Sequence, residues 1–183
     1  AGLISSKTIA FITTMILARI LSQDDFGVAA YAGVITGFID VVAGLGINNS
    51  LIFHKDNEGN NDTAFWLNFI SSLIIFSVTF FGAPVAGFLF NDDRAIPVLK
   101  VLSIIYPITA LGYIHGTLLQ KRLQFSVRFI PTIIGSVSKA VIAIPMALSG
   151  YGVWSIIISQ IAGELFTTIS YWFVLRWKPA LQF

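Results

Sequence analysis

The chain has 183 residues, of which 56% are hydrophobic and only 11% charged, less than half the roughly 25% charged share of a soluble domain. It carries no cysteine, which excludes a disulfide framework, thiolate metal sites and cysteine nucleophiles. A net charge of +2 without a basic stripe gives no nucleic-acid signature despite a pI near 9.0, and a mean hydropathy of +0.83 leaves an integral membrane protein.

A helix needs about 20 apolar residues to cross a hydrocarbon core of roughly 30 Å. Six runs qualify, at about 2–21, 27–52, 64–90, 95–120, 129–149 and 152–176. They are continuous and lack strict alternation, which favours helices over barrel strands. The expected fold is therefore an all-α membrane bundle of six transmembrane helices. The breaks are Ser22-Gln23-Asp24-Asp25, His54 to Asp62, Asn91-Asp92-Asp93-Arg94, Lys121 to Arg128, and Gly150-Tyr151-Gly152. None is long enough to fold as a domain. The chain opens at Ala1 with a span under way, so it reads as a piece of a longer protein.

Orientation follows from the basic residues. Connections after even-numbered spans hold Lys55, Lys121, Arg122, Arg128, Arg176 and Lys178, whereas the opposite side is dominated by Asp24, Asp25, Asp92 and Asp93. The positive-inside rule puts both ends of the segment in the cytoplasm. Trp66, Trp154, Trp172 and Trp177 fall near span ends, where an amphipathic indole is best placed. Between Lys121 and Arg128, cations mix with Leu123, Phe125 and Val127. That stretch reads either as a basic topology loop or as a segment lying among anionic headgroups.

Ionisable residues inside spans are the main functional candidates, since each costs about 2.5–3.5 kcal/mol at a helix centre on insertion scales. Asp40 lies mid-way along the second run, Lys139 along the fifth and Glu164 along the sixth. Lys139 stands 12 residues before Tyr151 and Glu164 13 after it, so the two reach nearly the same depth across a helix hairpin. They either neutralise each other and lock the hairpin, or face a wet cavity in which Lys139 meets an anion. Lys7 lies deeper than an interface position. Arg19 and Lys100 lie within a turn or two of the outer interface, and all three stems are long enough to snorkel. His115 reads as a helix-packing donor rather than a metal ligand, with no second ligand at metal spacing.

Small residues at Ala29, Gly33 and Gly37, and again at Gly112 and Gly116, permit close helix crossings. Pro84, Pro107, Pro131 and Pro145 each remove a backbone donor, so bends are expected. No Gly-x-Ser-x-Gly elbow, His-Glu-x-x-His helix or Walker loop occurs. No enzyme activity, metal or cofactor is expected.

The string Leu17-Ala18-Arg19-Ile20-Leu21-Ser22-Gln23-Asp24-Asp25-Phe26-Gly27 resembles the end of the first helix in polysaccharide flippases of the lipopolysaccharide-biosynthesis type. These belong to the multidrug/oligosaccharidyl-lipid/polysaccharide exporter superfamily. Further similar strings follow in order: Gly44-Leu45-Gly46, Ser50-Leu51-Ile52, Phe65-Trp66-Leu67-Asn68, Leu118 to Phe125, Gly150 to Ser155, and Trp177 to Phe183. The resemblance covers essentially the whole chain.

It implies a two-lobed bundle of which this chain, 1–183, is the N-terminal lobe, the second lobe being absent. It also implies transport of lipid-linked oligosaccharide units on polyprenyl diphosphate across the bacterial inner membrane by alternating access, for lipopolysaccharide or exopolysaccharide synthesis. Membrane lipids and polysaccharide assembly proteins are the implied partners. Relatives tend to a cationic cavity, for which Lys139, Lys7 and Arg19 are candidates by depth and charge, with Asp40 and Glu164 candidates for ion or proton coupling. Two other functions are compatible with the chain: a cation-coupled drug exporter of the same superfamily, and a membrane-embedded glycan-modifying enzyme.

Overall fold

Lipid leaves a chain this apolar no choice but to satisfy its backbone internally. A computed structural model describes the backbone of residues 2–52, 59–121 and 125–175, and the side chains of 5–39, 41, 62–120, 127 and 129–175. Every regular element among the described residues is a helix: α1 (Gly2–Ile20), α2 (Gln23–Ile52), α3 (Gly59–Phe90), α4 (Ala95–Leu102), α5 (Ile105–Lys121), α6 (Phe125–Leu148) and α7 (Val153–Val174). Four stretches among the described residues are long and apolar enough to cross a membrane: Asp62–Phe90, Ala95–Gln120, Phe129–Leu148 and Val153–Val174. The protein is a multi-pass membrane protein. Its large apolar side chains point outward, as lipid rewards: Phe81 is 78% exposed, Phe88 88% and Phe173 80%.

The element boundaries correct the hydropathy reading in four places. The run 95–120 is not one continuous helix but α4 and α5, interrupted at Ser103 and Ile104. Pro107 explains the break: it has no N–H to offer the Ser103 carbonyl, and its ring crowds that carbonyl in a helix. The Ser103 oxygen instead accepts from the Tyr106 N–H at 3.1 Å, and the Ser103 hydroxyl donates to the Lys100 carbonyl at 2.6 Å. Helices α3 and α6 run on through Pro84, Pro131 and Pro145.

The second helix begins at Gln23 rather than 27, because Ser22 caps it. The Asp25 N–H donates to the Ser22 hydroxyl oxygen at 3.2 Å, and that hydroxyl donates to the Asp25 carboxylate at 2.7 Å. The third starts at Gly59 rather than 64, and the sixth at Phe125 rather than 129. Polar or charged residues are tolerated in a first helical turn, so hydropathy marks the membrane-embedded part of each helix rather than its ends. Thus Phe125–Arg128, read from sequence as part of a connection, belongs to α6. Lys55, Arg122, Arg176, Trp177 and Lys178 lie outside the described residues, as do the side chains of Asp40, Lys121 and Arg128.

Helix α3 stops at Asn91, which takes φ 52° while the Asp92 N–H reaches back to the Gly87 carbonyl at 3.3 Å. This left-handed stop satisfies a terminal carbonyl. In the following turn Arg94 grips Asp92 with two parallel bonds, Nε to Oδ1 at 3.1 Å and Nη2 to Oδ2 at 3.0 Å. The side-chain bond from Arg94 holds the Asp92 carboxyl below the ordinary carboxylate range.

Helix α1 packs on α6, α6 on α7, α7 on α5, and α5 on α3, while α4 and α2 close the α3 side. Three apolar clusters pin this arrangement at its ends. Val28, Ala32, Ala83, Val98, Leu99 and Ile157 join α2, α3, α4 and α7. Leu17, Ala143 and Ala147 join α1 to α6 near the α1–α2 elbow. At the opposite end Phe65, Ile114, Leu118, Leu119 and Leu175 join α3, α5 and the exit of α7. Between these clusters lies a cavity bordered by α1, α2, α5, α6 and α7.

Candidate functional site: a polar groove through the bundle

Two glycines set the geometry at the centre. A Cβ built on Gly135 would lie 2.8 Å from the Gly163 carbonyl oxygen and against the Thr167 hydroxyl. One on Gly163 would meet the Gly135 carbonyl oxygen at 3.1 Å and Lys139 Cβ at 3.2 Å. Helices α6 and α7 therefore cross with their backbones touching, which only residues lacking a side chain permit. Lys139 is one turn beyond Gly135, and Glu164 directly follows Gly163. The crossing thus brings the ammonium and the carboxylate to one level, where both are half-buried and line the same cavity. The ion pair within 4.0 Å among the described residues is Arg94–Asp92, so Lys139 and Glu164 share the cavity without a direct bridge.

That cavity is a groove of about 750 Å3 between α1, α2, α5, α6 and α7. Hydroxyl residues are spread along its largely apolar wall, and several of their protons are committed to their own helices. Thr13 donates to the Ile9 carbonyl at 2.8 Å, Thr14 to Ala10 at 2.9 Å, Ser136 to Thr132 at 2.9 Å, and Thr167 to Gly163 at 2.8 Å. A hydroxyl that donates backward still has oxygen lone pairs to offer. The groove therefore presents acceptors along its length, amide donors at Gln120 and Gln160, one cation at Lys139, and the rings of Tyr113 and Tyr171. Groups rich in O–H donors and carrying an anion fit such a lining.

One end of the groove abuts an apolar cluster. Leu17, Phe26 and Ile156 reach its lining and also belong to the apolar cluster around Ala143 and Ala147. Just beyond, Asp25 Oδ1 accepts the Val153 N–H at 3.2 Å, tying the α1–α2 elbow to the first turn of α7. The approach is so close that a Cβ on Gly152 would meet that oxygen at 2.8 Å, and Gly152 holds φ 55°, a backbone region costly for other residues.

The other expected residues are distributed as follows. Lys7 is exposed and sits one turn before Ala10, on the side of α1 that carries the groove residues Ala10, Thr14 and Leu17. Arg19 is exposed and, at about 100° per residue, falls on the opposite side of α1. Asp40 lies within α2, its side chain outside the described set. His115 is fully buried against Trp172, ring centroids 4.7 Å apart, and the Trp172 indole donates to the Leu111 carbonyl at 3.0 Å. Lys100 lies over the Phe80 ring at 5.5 Å, a partner for a cation at a membrane-helix end.

The small-residue reading needs one correction. Gly33 and Gly37 have nothing within 4 Å of a built Cβ, so they make no close crossing among the described residues. Gly112 and Gly116 do face α7, against Thr168 and Tyr171. The tightest crossing, Gly135 with Gly163, was not singled out from sequence. Its signal is a glycine within one turn of each ionisable residue on both arms of the hairpin. Gln160, Thr109 and the row of hydroxyls were likewise missed, because no spacing rule separates a groove-facing threonine from a lipid-facing one.

A family model described as polysaccharide biosynthesis protein matches residues 16–183. The chain belongs to that family. It is 29% identical to the succinoglycan biosynthesis transport protein ExoT of Rhizobium meliloti (strain 1021) over 94% of this chain and 35% of that protein. It is 27% identical to the teichuronic acid biosynthesis protein TuaB of Bacillus subtilis (strain 168), over 81% of this chain and 31% of the relative. The lipopolysaccharide biosynthesis protein WzxC of Escherichia coli (strain K12) is 29% identical over 61% of the chain and 23% of its own length. The chain thus spans about a third or less of the curated relatives it matches. No solved structure matches it significantly. The resemblance read from the strings above is to this same group of proteins.

Proposed function

We propose that this chain is the N-terminal lobe of a transporter that flips polyprenyl-diphosphate-linked oligosaccharide across a bacterial inner membrane. The observation that carries this reading is the groove: a cavity of about 750 Å3 with hydroxyls, amides, Lys139 and Glu164 in its wall, set between helices whose outer surfaces are apolar. A sugar diphosphate does not enter hydrocarbon, since desolvating its charges and hydroxyls costs several kcal/mol per group. In the groove, threonine and serine oxygens accept from sugar hydroxyls, Tyr113 and Tyr171 offer faces to the sugar rings, and Lys139 attracts the diphosphate. The polyprenyl tail stays in lipid.

In this reading α1 and α2 complete a six-span lobe with the four apolar stretches, and both ends of the segment are cytoplasmic. The second lobe follows in the full-length protein, and rocking of one lobe against the other exposes the groove to each face in turn. The apolar end at Leu17, Phe26 and Ile156 then lies toward the outer face. Lys7 extends the cationic lining at the opposite mouth, and Arg19 acts at the outer headgroup level. Asp40 and Glu164 are the carboxylates available for ion coupling. The relatives, a succinoglycan biosynthesis transport protein among them, favour a glycan cargo over the drugs of a cation-coupled exporter. They also favour transport over glycan-modifying chemistry.

The test is accumulation of surface polysaccharide in cells relying on the full-length protein with Lys139→Ala. Loss of one charge-assisted contact predicts roughly a tenfold to hundredfold fall in transport at limiting substrate. Undiminished transport by a normally inserted variant removes Lys139 from the mechanism.

A further inference from the structure

Lys100 is half-buried on the seam between α3 and α4, and its ammonium lies over the Phe80 ring, 5.5 Å from the centroid. The register of this hairpin gives its height. A Cβ built on Gly87 would meet Ile96 Cδ1 at 2.7 Å, so those two residues share a level. Phe80 is seven residues before Gly87, about 10 Å further from the Asn91–Arg94 turn. Lys100 is four residues after Ile96, only about 6 Å further. The Phe80 backbone is thus a few ångström deeper than that of Lys100, and its ring leans deeper still, toward the start of α3. A lysine that snorkels from α4 would lean the other way, toward the turn where that helix begins. The stem of Lys100 instead runs along the seam, and the ammonium stays within the apolar stretch that starts at Ala95.

Phe80 is itself held in place, by Phe81 edge-on at 5.5 Å and by Phe76 tilted at 5.7 Å. One aromatic face offsets only part of the cost of keeping a cation among acyl chains. Among the described residues no carboxylate lies within 4.0 Å of Lys100, the ion pair at this end being Arg94–Asp92. Neither α3 nor α4 lines the groove, so the seam lies outside it. Exposed Ser77, Phe81 and Pro84 border the seam on α3, and exposed Pro97 and Ile104 border it on α4. An anion that meets Lys100 must come past these apolar flanks. A free ion would have to shed its water to do so. A phosphate carried on acyl chains brings tails that suit the flanks, and a bilayer thins locally around an embedded cation, which lowers the headgroups toward it.

We infer that the α3–α4 seam binds one anionic phospholipid, its phosphate on Lys100 and its acyl chains against Phe81, Pro84 and Ile104. The lipid belongs to the leaflet beside the Asn91–Arg94 turn, the outer one in the topology proposed above. Net negative charge matters, because the amine of a zwitterionic headgroup competes with Lys100 for the same phosphate. The site is independent of the cargo. It supplies the counter-charge that neighbouring helices withhold from Lys100, and it holds α4 to α3 just ahead of the break at Ser103.

The experiment uses the full-length protein, delipidated in detergent and free of lipid-linked glycan. Thermal stability is followed as dioleoylphosphatidylglycerol, dioleoylphosphatidylcholine, dioleoylglycerol or glycerol phosphate is added. The expected result is a saturable rise in Tm with its lowest midpoint for phosphatidylglycerol, and no saturable rise from dioleoylglycerol or glycerol phosphate. Lys100→Gln moves the phosphatidylglycerol midpoint about tenfold higher. Lys100→Arg restores it, since a guanidinium keeps the charge and stacks on a ring, and Phe80→Leu raises it. Equal midpoints in wild type and Lys100→Gln overturn the site. So does a Lys100→Gln loss that Lys100→Arg leaves unrescued, which would make the lysine a packing residue. Equal midpoints for phosphatidylglycerol and phosphatidylcholine overturn the demand for net negative charge, and a rise with glycerol phosphate overturns the lipid as its source. Should Lys100→Gln fail to fold, an unchanged midpoint in Phe80→Leu overturns the site. Transport does not enter the assay, so its outcome stands apart from the function proposed above.

Discussion

Replacing Gly135 by alanine probes the crossing on which the groove depends. The new Cβ would lie 2.8 Å from the Gly163 carbonyl oxygen, and ordinary contact begins at 3.4 Å, so α6 and α7 must part by about 0.6 Å or more locally. The obstruction is backbone, which cannot rotate away as a side chain does. Overpacking of this kind costs about 1–3 kcal/mol, while alanine returns up to about 1 kcal/mol of helix propensity over glycine. Sterics win. The expected net loss is about 1–2 kcal/mol, read as a lower Tm of the full-length protein in detergent. Gly82→Ala is the internal control, since nothing lies within 4 Å of its built Cβ; it should be neutral or stabilising by up to about 1 kcal/mol. Parting the helices also carries Lys139 away from Glu164, so transport by Gly135→Ala should fall below that of Gly82→Ala. A Gly135→Ala protein as stable as the Gly82→Ala control would refute the backbone contact.

Other consequences are open to measurement. Asp25→Ala removes the acceptor for the Val153 N–H and the partner of the Ser22 hydroxyl, so a cap loss of about 0.5–2 kcal/mol is expected; Asp25→Asn, which retains an acceptor oxygen, should lose less, as thermal unfolding will show. Thiols introduced at Ser149 and Gln120, both exposed, should react with impermeant reagent from opposite sides of the membrane in intact cells and inverted vesicles. Labelling of both from one side would break the proposed topology. Because the Arg94 bonds depress the Asp92 carboxyl, the stabilisation this pair supplies is complete above the ordinary carboxylate pKa and disappears as pH falls through the depressed value. Arg94→Ala should return the Asp92 titration to the ordinary range in an NMR pH series.

Lys139 and Glu164 could be placed at one depth by counting from Tyr151, because a hairpin of two straight helices converts residue number into height. The same counting is silent on rotation about each helix axis. That is why Gly33 and Gly37, equal to Gly112 and Gly116 as a pattern, turned out to meet no neighbour among the described residues, whereas Gly112 and Gly116 lie against α7. Arg19 and Lys7 present the same lesson on α1: both are cations of suitable depth, but only Lys7 shares the side of Ala10 and Thr14. The stop at Ser103 was foreshadowed by Pro107. A proline weakens one hydrogen bond wherever it sits, yet α3 and α6 carry theirs without a break, so packing chose which helix would part.

Hydropathy alone established that this chain is helical and crosses a membrane, since a bilayer admits so apolar a polypeptide only with its backbone bonded within itself. Residue strings alone pointed to the polysaccharide-transport relatives. The groove needed three dimensions. It exists because α6 and α7 touch at two glycines while α1 and α2 hold apart, and contact between helices depends on which faces meet. In lipid, apolar residues gain nothing by facing inward, so the inner and outer faces of these helices look alike along the chain and only their packing tells them apart.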